Sequence, residues 1–312
     1  MTGYRSALLQ APGAVGADPP DAGVAAHYGD PMREQRRLEA GDAVVDLSHR
    51  GVVRVGGPDR LSWLHSLLTQ HVQSLEPGRP TQALLLDPQG RVEHHLRLVD
   101  DGEAVWATVE PGTAAALVEF LRSMQFMLRV EVSDVSAAWA VLGTADGERL
   151  LPRADLPGIP GSSGLAGVWA HEALRIARGE PRLGLDTDAK TIPNEVGWLD
   201  AAVHLDKGCY RGQETVARVH TLGRPPRRLT LLHLDGSVDT LPAHCDRVRV
   251  LDNPTTEVGF IGSAARHYEL GPIALALLKR NVPVDTPLVV RVGDVWVAAS
   301  QELLVDPEVG LH

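Results

Sequence analysis

The chain has 312 residues, 44% of them hydrophobic and 22% charged, with 30 lysines and arginines against 40 aspartates and glutamates, a net charge of −10. This ordinary globular balance excludes wholesale disorder and a coiled coil, and the acidic total argues against a protein that coats nucleic acid. Two cysteines, Cys209 and Cys245, exclude a disulfide framework and a self-sufficient four-cysteine metal site. No apolar run reaches the roughly 18 residues needed to span a bilayer, and Ala7-Leu8-Leu9 is too brief for a secretory leader. The expectation is a soluble cytoplasmic protein of two domains or one large one, with no membrane contact.

Residues 1–40 are punctuated by Pro12, Gly13, Gly16, Pro19, Pro20, Gly23 and Pro31, and read as an irregular arm with a short helix near Met32–Leu38. Val44–Val55 is apolar and β-branched around Ser48-His49-Arg50-Gly51, which predicts a strand pair. Leu61, Leu64, Leu67 and Leu68 then recur at helical spacing behind Asp59. A hairpin follows, with strands Ala83–Leu86 and Val92–Val99 around the turn Asp87-Pro88-Gln89-Gly90. In its second strand Val92, His94, Leu96 and Leu98 share one face, and Glu93, His95 and Arg97 the other. Val105–Val109 predicts a further strand. Thr113 is placed to cap a helix through Leu117, Phe120, Leu121 and Met124. Val130–Val135 and Trp139–Gly143 are strand-like, whereas Leu151–Gly167 is rich in Pro, Gly and Ser and reads as a loop. Beyond Gly223-Arg224-Pro225-Pro226 come Leu229–Leu234, Arg247–Leu251, Glu257–Ala264, Ile273–Lys279 and Leu288–Ala299, turn-separated strands that suggest a small β-barrel or sandwich. The irregular mixture of helices and strands predicts an α+β fold.

The densest chemistry lies in Lys207-Gly208-Cys209-Tyr210-Arg211-Gly212-Gln213-Glu214. A thiol between Lys207 and Arg211, ahead of a helix starting near Gln213, has its thiolate favoured by cations and by the helix dipole. The alternative is a buried cysteine serving as a small hydrophobe. Arg211, Arg218, Arg224, Arg227 and Arg228 form a basic segment that suits a carboxylate or phosphate, or else a solvated linker. Glu195, after the proline of Thr191-Ile192-Pro193-Asn194, is a carboxylate that can accept paired N–H donors from a heterocycle edge, or a surface loop residue. No metal site is expected. His94 and His95 are adjacent on a strand and point apart, and His171-Glu172 lacks the second histidine of H-E-x-x-H because position 175 is Arg. Gly161-Ser162-Ser163-Gly164 is not a nucleophile elbow, and no phosphate-binding or dinucleotide-binding glycine motif is present.

The octet Lys207–Glu214 resembles the K-G-C-Y-x-G-Q-E signature of YgfZ-type folate-binding proteins, relatives of the glycine-cleavage T-protein (aminomethyltransferase). Asp46-Leu47-Ser48-His49-Arg50, Gly57-Pro58-Asp59-Arg60, Leu174-Arg175-Ile176 with Gly179, and Val258-Gly259-Phe260-Ile261-Gly262-Ser263 resemble further segments of that superfamily, in the correct order. The last has Gly262 where threonine is usual. Two departures stand out. The T-protein carries an Asp-Asp pair on the strand after a glycine turn, where this chain has His94-His95 behind Gly90. The glutamate of the T-protein pattern L-R-L-E-A-G falls on Ala177.

The resemblance implies a T-protein-like α+β fold: an arm over residues 1–40, a folate-binding body over 41–225 and a small antiparallel β-barrel over 226–312. It implies tetrahydrofolate, or another reduced folate, as the cofactor. Glu195 would meet the pterin donors, Trp198 would either wall the ring or belong to the core, and Arg175, Arg218 or Arg228 would meet the glutamate tail. Cys209 is then the candidate functional thiol, with Lys207, Gly208, Tyr210, Gly212, Gln213 and Glu214 as its motif. The implied function is support of iron–sulfur cluster assembly or repair, with consequences for iron–sulfur enzymes that modify tRNA. Assembly factors or client enzymes are the expected partners. Whether the chain turns over a substrate stays open. Aminomethyl transfer is the first alternative, with Glu93 as the nearby carboxylate, and a protein- or RNA-interaction module built on the arginine segment is the second.

Overall fold

The computed structural model describes residues 4–161 and 164–306, so Ser162 and Ser163 of the glycine-flanked pair lie outside the described residues. The chain divides into two compact units. The first comprises the chain up to Ala83 together with His94–Glu172, and the second Leu84–Glu93 together with the chain from Ala173 onward. The division therefore falls within a helix and across a hairpin, whereas the punctuation at Gly223–Pro226 immediately precedes the first barrel strand. Among the described residues no helix is long and apolar enough to cross a membrane.

The first forty residues are more ordered than their Pro/Gly content suggests. They carry the short strands β1 (Val15–Gly16) and β2 (Ala25–His27) and the helix α1 (Pro31–Glu39), with Leu8, Val24, Ala25 and Ala26 buried. Asp30 caps α1 by accepting from the Arg33 amide at 3.0 Å, with Pro31 in the first turn, a placement that costs proline no hydrogen bond. The predicted strand pair is β3 (Ala43–Asp46) and β4 (Gly51–Gly56), followed by α2 (Arg60–Leu67). The hairpin is β5 (Thr81–Leu86) and β6 (Val92–Asp100), and β7 (Ala104–Val109), α3 (Ala114–Ser123), β8 (Glu131–Asp134) and β9 (Trp139–Thr144) complete the expected series. Neither Thr113, expected to cap α3, nor Asp59 ahead of α2 makes a side-chain cap bond. The Asp59 carboxylate accepts from the Arg129 guanidinium at 2.7 Å, and the Thr113 hydroxyl donates to the Glu110 carbonyl at 2.8 Å.

The stretch read as a loop contains structure. β10 (Gly147–Pro152) pairs with β9, and β11 (Gly164–Ala166) runs parallel to β3, giving a four-stranded sheet in the order β10-β9-β3-β11. A second sheet runs β5-β6-β7-β4-β8. Helix α4 (Val168–Ala177) follows.

In the second unit come α5 (Trp198–Ala202) and α6 (Gln213–Leu222), then β12 (Arg227–Leu234), β13 (Arg247–Val250), β14 (Asn253–His267), β15 (Gly271–Lys279), β16 (Leu288–Val292) and β17 (Val295–Leu303). The run Leu288–Ala299 is two strands divided at Gly293-Asp294. The six strands close into an antiparallel barrel in the order β12-β15-β14-β13-β16-β17, which leaves no open sheet edge. The barrel is filled by Leu232, Val248, Leu278, Val290 and Val297. A neighbouring core joins Leu84, Leu86, Val92, Trp198, Val216, Leu229 and Leu275, each worth about 1.5–3 kcal/mol of burial.

Candidate functional site

The signature loop is pinned at both ends while its middle is exposed. Lys207 and Tyr210 are buried, and Gly208 and Cys209 are exposed. The Lys207 ammonium lies 5.2 Å from the centre of the Tyr210 ring. Burial brings the Lys207 ammonium down to about 8 and pushes the Tyr210 phenol up to about 12. Arg211 donates to the Glu93 carboxylate at 2.9 Å, and the Gln213 side chain donates back to the Lys207 carbonyl at 3.4 Å.

Gly212 is left-handed, with φ 80°, and a Cβ there would lie 2.6 Å from the Asp87 carbonyl oxygen and 2.8 Å from the Gly90 Cα. Gly90 is also left-handed and faces Thr215. The hairpin turn and the signature loop therefore approach at two positions that admit no side chain. Asp87 closes that turn by accepting from the amides of Gln89 and Arg91, both at 2.8 Å.

This geometry changes the account of Cys209. Helix α6 begins at Gln213 behind the Gly212 cap, so Cys209 lies upstream of the turn in which the dipole acts. Arg211 is engaged by Glu93 and Lys207 is buried beside Tyr210. The structure thus supplies an exposed thiol between two buried side chains rather than one clasped by two free cations. Cys245 is also exposed. It has a left-handed backbone, φ 70°, next to His244, whose Nδ1 lies 2.9 Å from the Gly262 carbonyl oxygen.

Glu195 is completely buried. Its two carboxylate oxygens accept from Nε and Nη2 of Arg227, each at 2.8 Å, and Oε2 also accepts from the Ile192 amide at 3.1 Å. The Arg227 guanidinium reaches on to Asp188, at 2.6 and 3.1 Å. Against partial burial, the Arg227 donors bring Asp188 down to about 2. Despite its own burial, Arg227 is pushed up by Glu195 and then Asp188. Of the three side chains, Asp188 is 39% exposed, Arg227 20% and Glu195 0%. The surface of this cluster is therefore Asp188 and Arg227. Glu195, expected to meet a heterocycle directly, instead orients Arg227 from below.

The other expected ligand contacts separate. Arg175 is buried and donates to Asp186 at 2.9 Å, so it is committed to an internal ion pair rather than held out for a glutamate tail. Trp198 is a core residue among Leu84, Val216 and Leu229, so it is no free wall for a ring. Arg228 is fully buried, donating to the Thr230 hydroxyl, the Val282 carbonyl and the Gln301 side chain. Arg218 is exposed on α6, the one expected tail cation at the surface. Asp186 also accepts from the Arg182 amide at 2.9 Å and the Ser263 hydroxyl at 2.6 Å. A Cβ at Gly262 would lie 2.2 Å from its Oδ1, which accounts for glycine at the place where threonine is usual.

On β6, His94 and His95 are both buried. Burial lowers the imidazolium stability of each, and that of His95 strongly. Nε2 of His95 faces the Gln82 side-chain oxygen at 2.8 Å. Glu93 is engaged by Arg211. Neutral imidazoles thus stand at the β6 positions where the resemblance leads one to expect aspartates, and among the described residues no group of three metal-ligating side chains forms.

Sequence reasoning missed two ionic clusters. One is Glu195–Arg227–Asp188, in which Arg227 was indistinct within a basic segment. The other lies on β10, where Glu148 accepts from Arg50 and from the Thr108 hydroxyl, with Arg97 at 3.5 Å. Against the cost of burial, Arg97 and Arg50 hold the Glu148 carboxyl below its ordinary value.

The family described as the GCVT N-terminal domain matches residues 25–145. The tRNA-modifying protein YgfZ of Edwardsiella ictaluri is 28% identical over 285 residues, 77% of this chain and 85% of the relative. The chain is thus similar in sequence to YgfZ and, over residues 25–145, to the GCVT N-terminal domain. The mitochondrial iron–sulfur cluster assembly factor IBA57 homolog of Mycosarcoma maydis is 28% identical over 227 residues, 61% of this chain and 56% of the relative. A chloroplastic protein of Arabidopsis thaliana named for a transferase is 28% identical over 252 residues, 63% of this chain. The chain spans 57% of that relative's length. The crystal structure of glycine cleavage system aminomethyltransferase T from Bartonella henselae superposes with a TM-score of 0.79 at 16% identity, covering 97% of this chain and 96% of that one. The α+β fold with its C-terminal antiparallel barrel is thus the fold of the T-protein.

Proposed function

We propose that this chain binds a reduced folate, tetrahydrofolate, and supports assembly or repair of iron–sulfur clusters without carrying out aminomethyl transfer. Its partners are then iron–sulfur assembly factors or client enzymes, tRNA-modifying enzymes among them. The observation that carries this reading is the exposed Cys209 held between buried Lys207 and buried Tyr210, a thiol placed for another macromolecule rather than for an internal pair. The likeness to relatives named for iron–sulfur assembly and tRNA modification supports it.

The residues fit a folate. Its pterin edge needs a carboxylate and its glutamate tail a cation, and Asp188 with Arg227, and Arg218, offer these at the surface. A bound reduced folate supplies the one-carbon-carrying ring. Glu195 fixes the Arg227 guanidinium, and Asp188 would accept from the donor edge of a bound pterin. Neutral, buried His94 and His95 offer no carboxylate to an aminomethyl substrate, and Glu93 is tied to Arg211.

Calorimetry of the purified chain with tetrahydrofolate tests the first half, with a Kd of about 1 μM or tighter, about −8 kcal/mol, expected. Absence of heat and of thermal stabilisation at roughly 100 μM, about a hundredfold above that Kd, overturns it. For the second half, Cys209→Ser should fold and bind folate yet fail to restore iron–sulfur enzyme activity in a deficient cell. Full rescue by that variant refutes the role given to the thiol.

A further inference from the structure

The barrel carries a cationic, aromatic cleft that the folate reading does not use. Its volume is about 500 Å³, and Asp246, Arg247, Arg249, Arg291 and Trp296 line it. The register explains how these side chains meet. Val248 faces Val290 across β13 and β16, and Arg291 faces Trp296 across β16 and β17. Arg247 and Arg291 are the next residues beyond the Val248–Val290 pair at the same end of that ladder, because antiparallel partners shift in opposite directions. Val248, Val290 and Val297 point into the barrel core. The alternation of a strand therefore turns Arg247, Arg291 and Trp296 outward in a single row, and all three are exposed.

Neighbouring like charges on adjacent strands are unfavourable, and the compensation of this pair lies at the exposed surface. Arg291 meets Asp294 at 3.0 Å, a partner that is 99% exposed, and such surface pairs contribute little. Arg249 is engaged by Glu257 at 2.8 Å and sits 5.9 Å from the centre of the Trp296 ring. Arg247 makes no ion pair among the described residues. Two guanidiniums lining one open cleft suit an anion between them: Arg247 presents its fork to phosphate oxygens, and Arg291, whose Nε donates to the Gly293 carbonyl at 3.1 Å and Nη2 to Asp294 at 3.0 Å, keeps Nη1 for the same anion. The indole of Trp296, 42% exposed, adds a face for a planar ring. Asp246, whose Oδ2 accepts from the Ala243 amide at 2.8 Å, adds an acceptor for hydroxyls or amines. A simple anion site needs neither the indole nor the carboxylate.

We propose that this cleft binds a nucleoside phosphate: the phosphate between Arg247 and Arg291, the base against Trp296, and sugar hydroxyls or base amines toward Asp246. The volume suits one nucleotide, within the roughly 300–1,000 Å³ typical of small-ligand sites. The same chemistry is offered by a free mononucleotide and by the 5′-phosphorylated end of an RNA strand, and titration separates them.

The experiment is calorimetry on the full chain with AMP, adenosine, inorganic phosphate and a short 5′-phosphorylated single-stranded RNA, at low salt. AMP should bind with a Kd of about 100 μM or tighter, and adenosine and phosphate each about tenfold more weakly, since each lacks one of the paired contacts. Arg247→Ala and Trp296→Ala should each weaken AMP about tenfold. Arg247→Ala should leave the thermal midpoint unchanged or higher, because it removes a like-charge neighbour. RNA binding no tighter than AMP identifies the free nucleotide as the source, and RNA binding about tenfold tighter identifies the strand end. Tetrahydrofolate affinity should be the same in Arg247→Ala, so failure of folate binding and failure of this site are read separately. No binding of AMP or RNA at about 1 mM, or AMP binding untouched by Arg247→Ala, overturns the proposal.

Discussion

Replacing Glu195 by alanine tests the cluster beneath the proposed folate site. The substitution orphans the buried Ile192 amide, a loss of about 1–3 kcal/mol. It also removes both carboxylate oxygens from Arg227. Stripping one partner from a buried pair costs about 3–5 kcal/mol, but Arg227 is 20% exposed and keeps Asp188, so the lower end of each range applies. Together the loss should be about 4 kcal/mol, or a fall of roughly 1.3 M in the urea midpoint at a slope of about 3 kcal/mol per M. Glu195→Gln retains an acceptor for Ile192 and should cost less. In an Asp188→Asn background the same Glu195→Gln change should cost more, because Arg227 then loses its last carboxylate. Tetrahydrofolate affinity should fall with stability-corrected Arg227 disorder, by about tenfold. A loss below about 1 kcal/mol, or strict additivity of Glu195→Ala with Arg227→Ala, would refute the assignment of Glu195 as the residue that positions Arg227.

Gly212→Ala should destabilise by at least about 2 kcal/mol, combining left-handed strain with a backbone collision, and circular dichroism on urea unfolding measures it. Asp188 is favoured as a carboxylate in the fold, so its contribution is complete above its ordinary 3.8 and is lost as pH falls toward about 2. Wild type and Asp188→Asn should therefore differ in stability at pH 5 and converge near pH 2. The His95 ring, buried and neutral, should show no NMR titration between about pH 5 and 8, the window in which an ordinary imidazole changes charge. The purified chain should release no methylenetetrahydrofolate from an aminomethyl donor. Turnover near 1 per second, in the ordinary enzyme range of about 1–1,000 per second, would restore aminomethyl transfer.

Much of the fold was legible because its signals are local. Alternation and turn residues located the β5–β6 hairpin and the barrel strands, and leucine spacing located α2. What escaped depends on distant partners. β11 is three residues, Gly164–Ala166, whose strand state comes from pairing with β3, and no periodicity can show that. β14 extends back to Asn253 through Pro254 and two threonines, residues that read locally as a turn. The octet around Cys209 was readable as a motif, but its presentation was not. The close approach of Gly90 and Gly212 joins segments far apart in sequence. Arg175 and Arg228, expected at a ligand tail, are buried with internal partners, and of the two readings open for Trp198 the structure places it in the core. Arg227 could have been singled out only by knowing that Glu195 lies within its reach.

The crowding of Gly262 against Asp186 bears on how this protein can be recombined with its relatives. A barrel taken from a homologue with threonine at that place brings a side chain into the volume held by the Asp186 carboxylate, which also holds Arg175, the Arg182 amide and Ser263. Positions 186 and 262 therefore have to be exchanged together. A chimera joined at Gly223–Pro226 that ignores this will misassemble even though its junction lies in a natural linker, and one that exchanges Asp186 must replace the counter-charge of buried Arg175 as well.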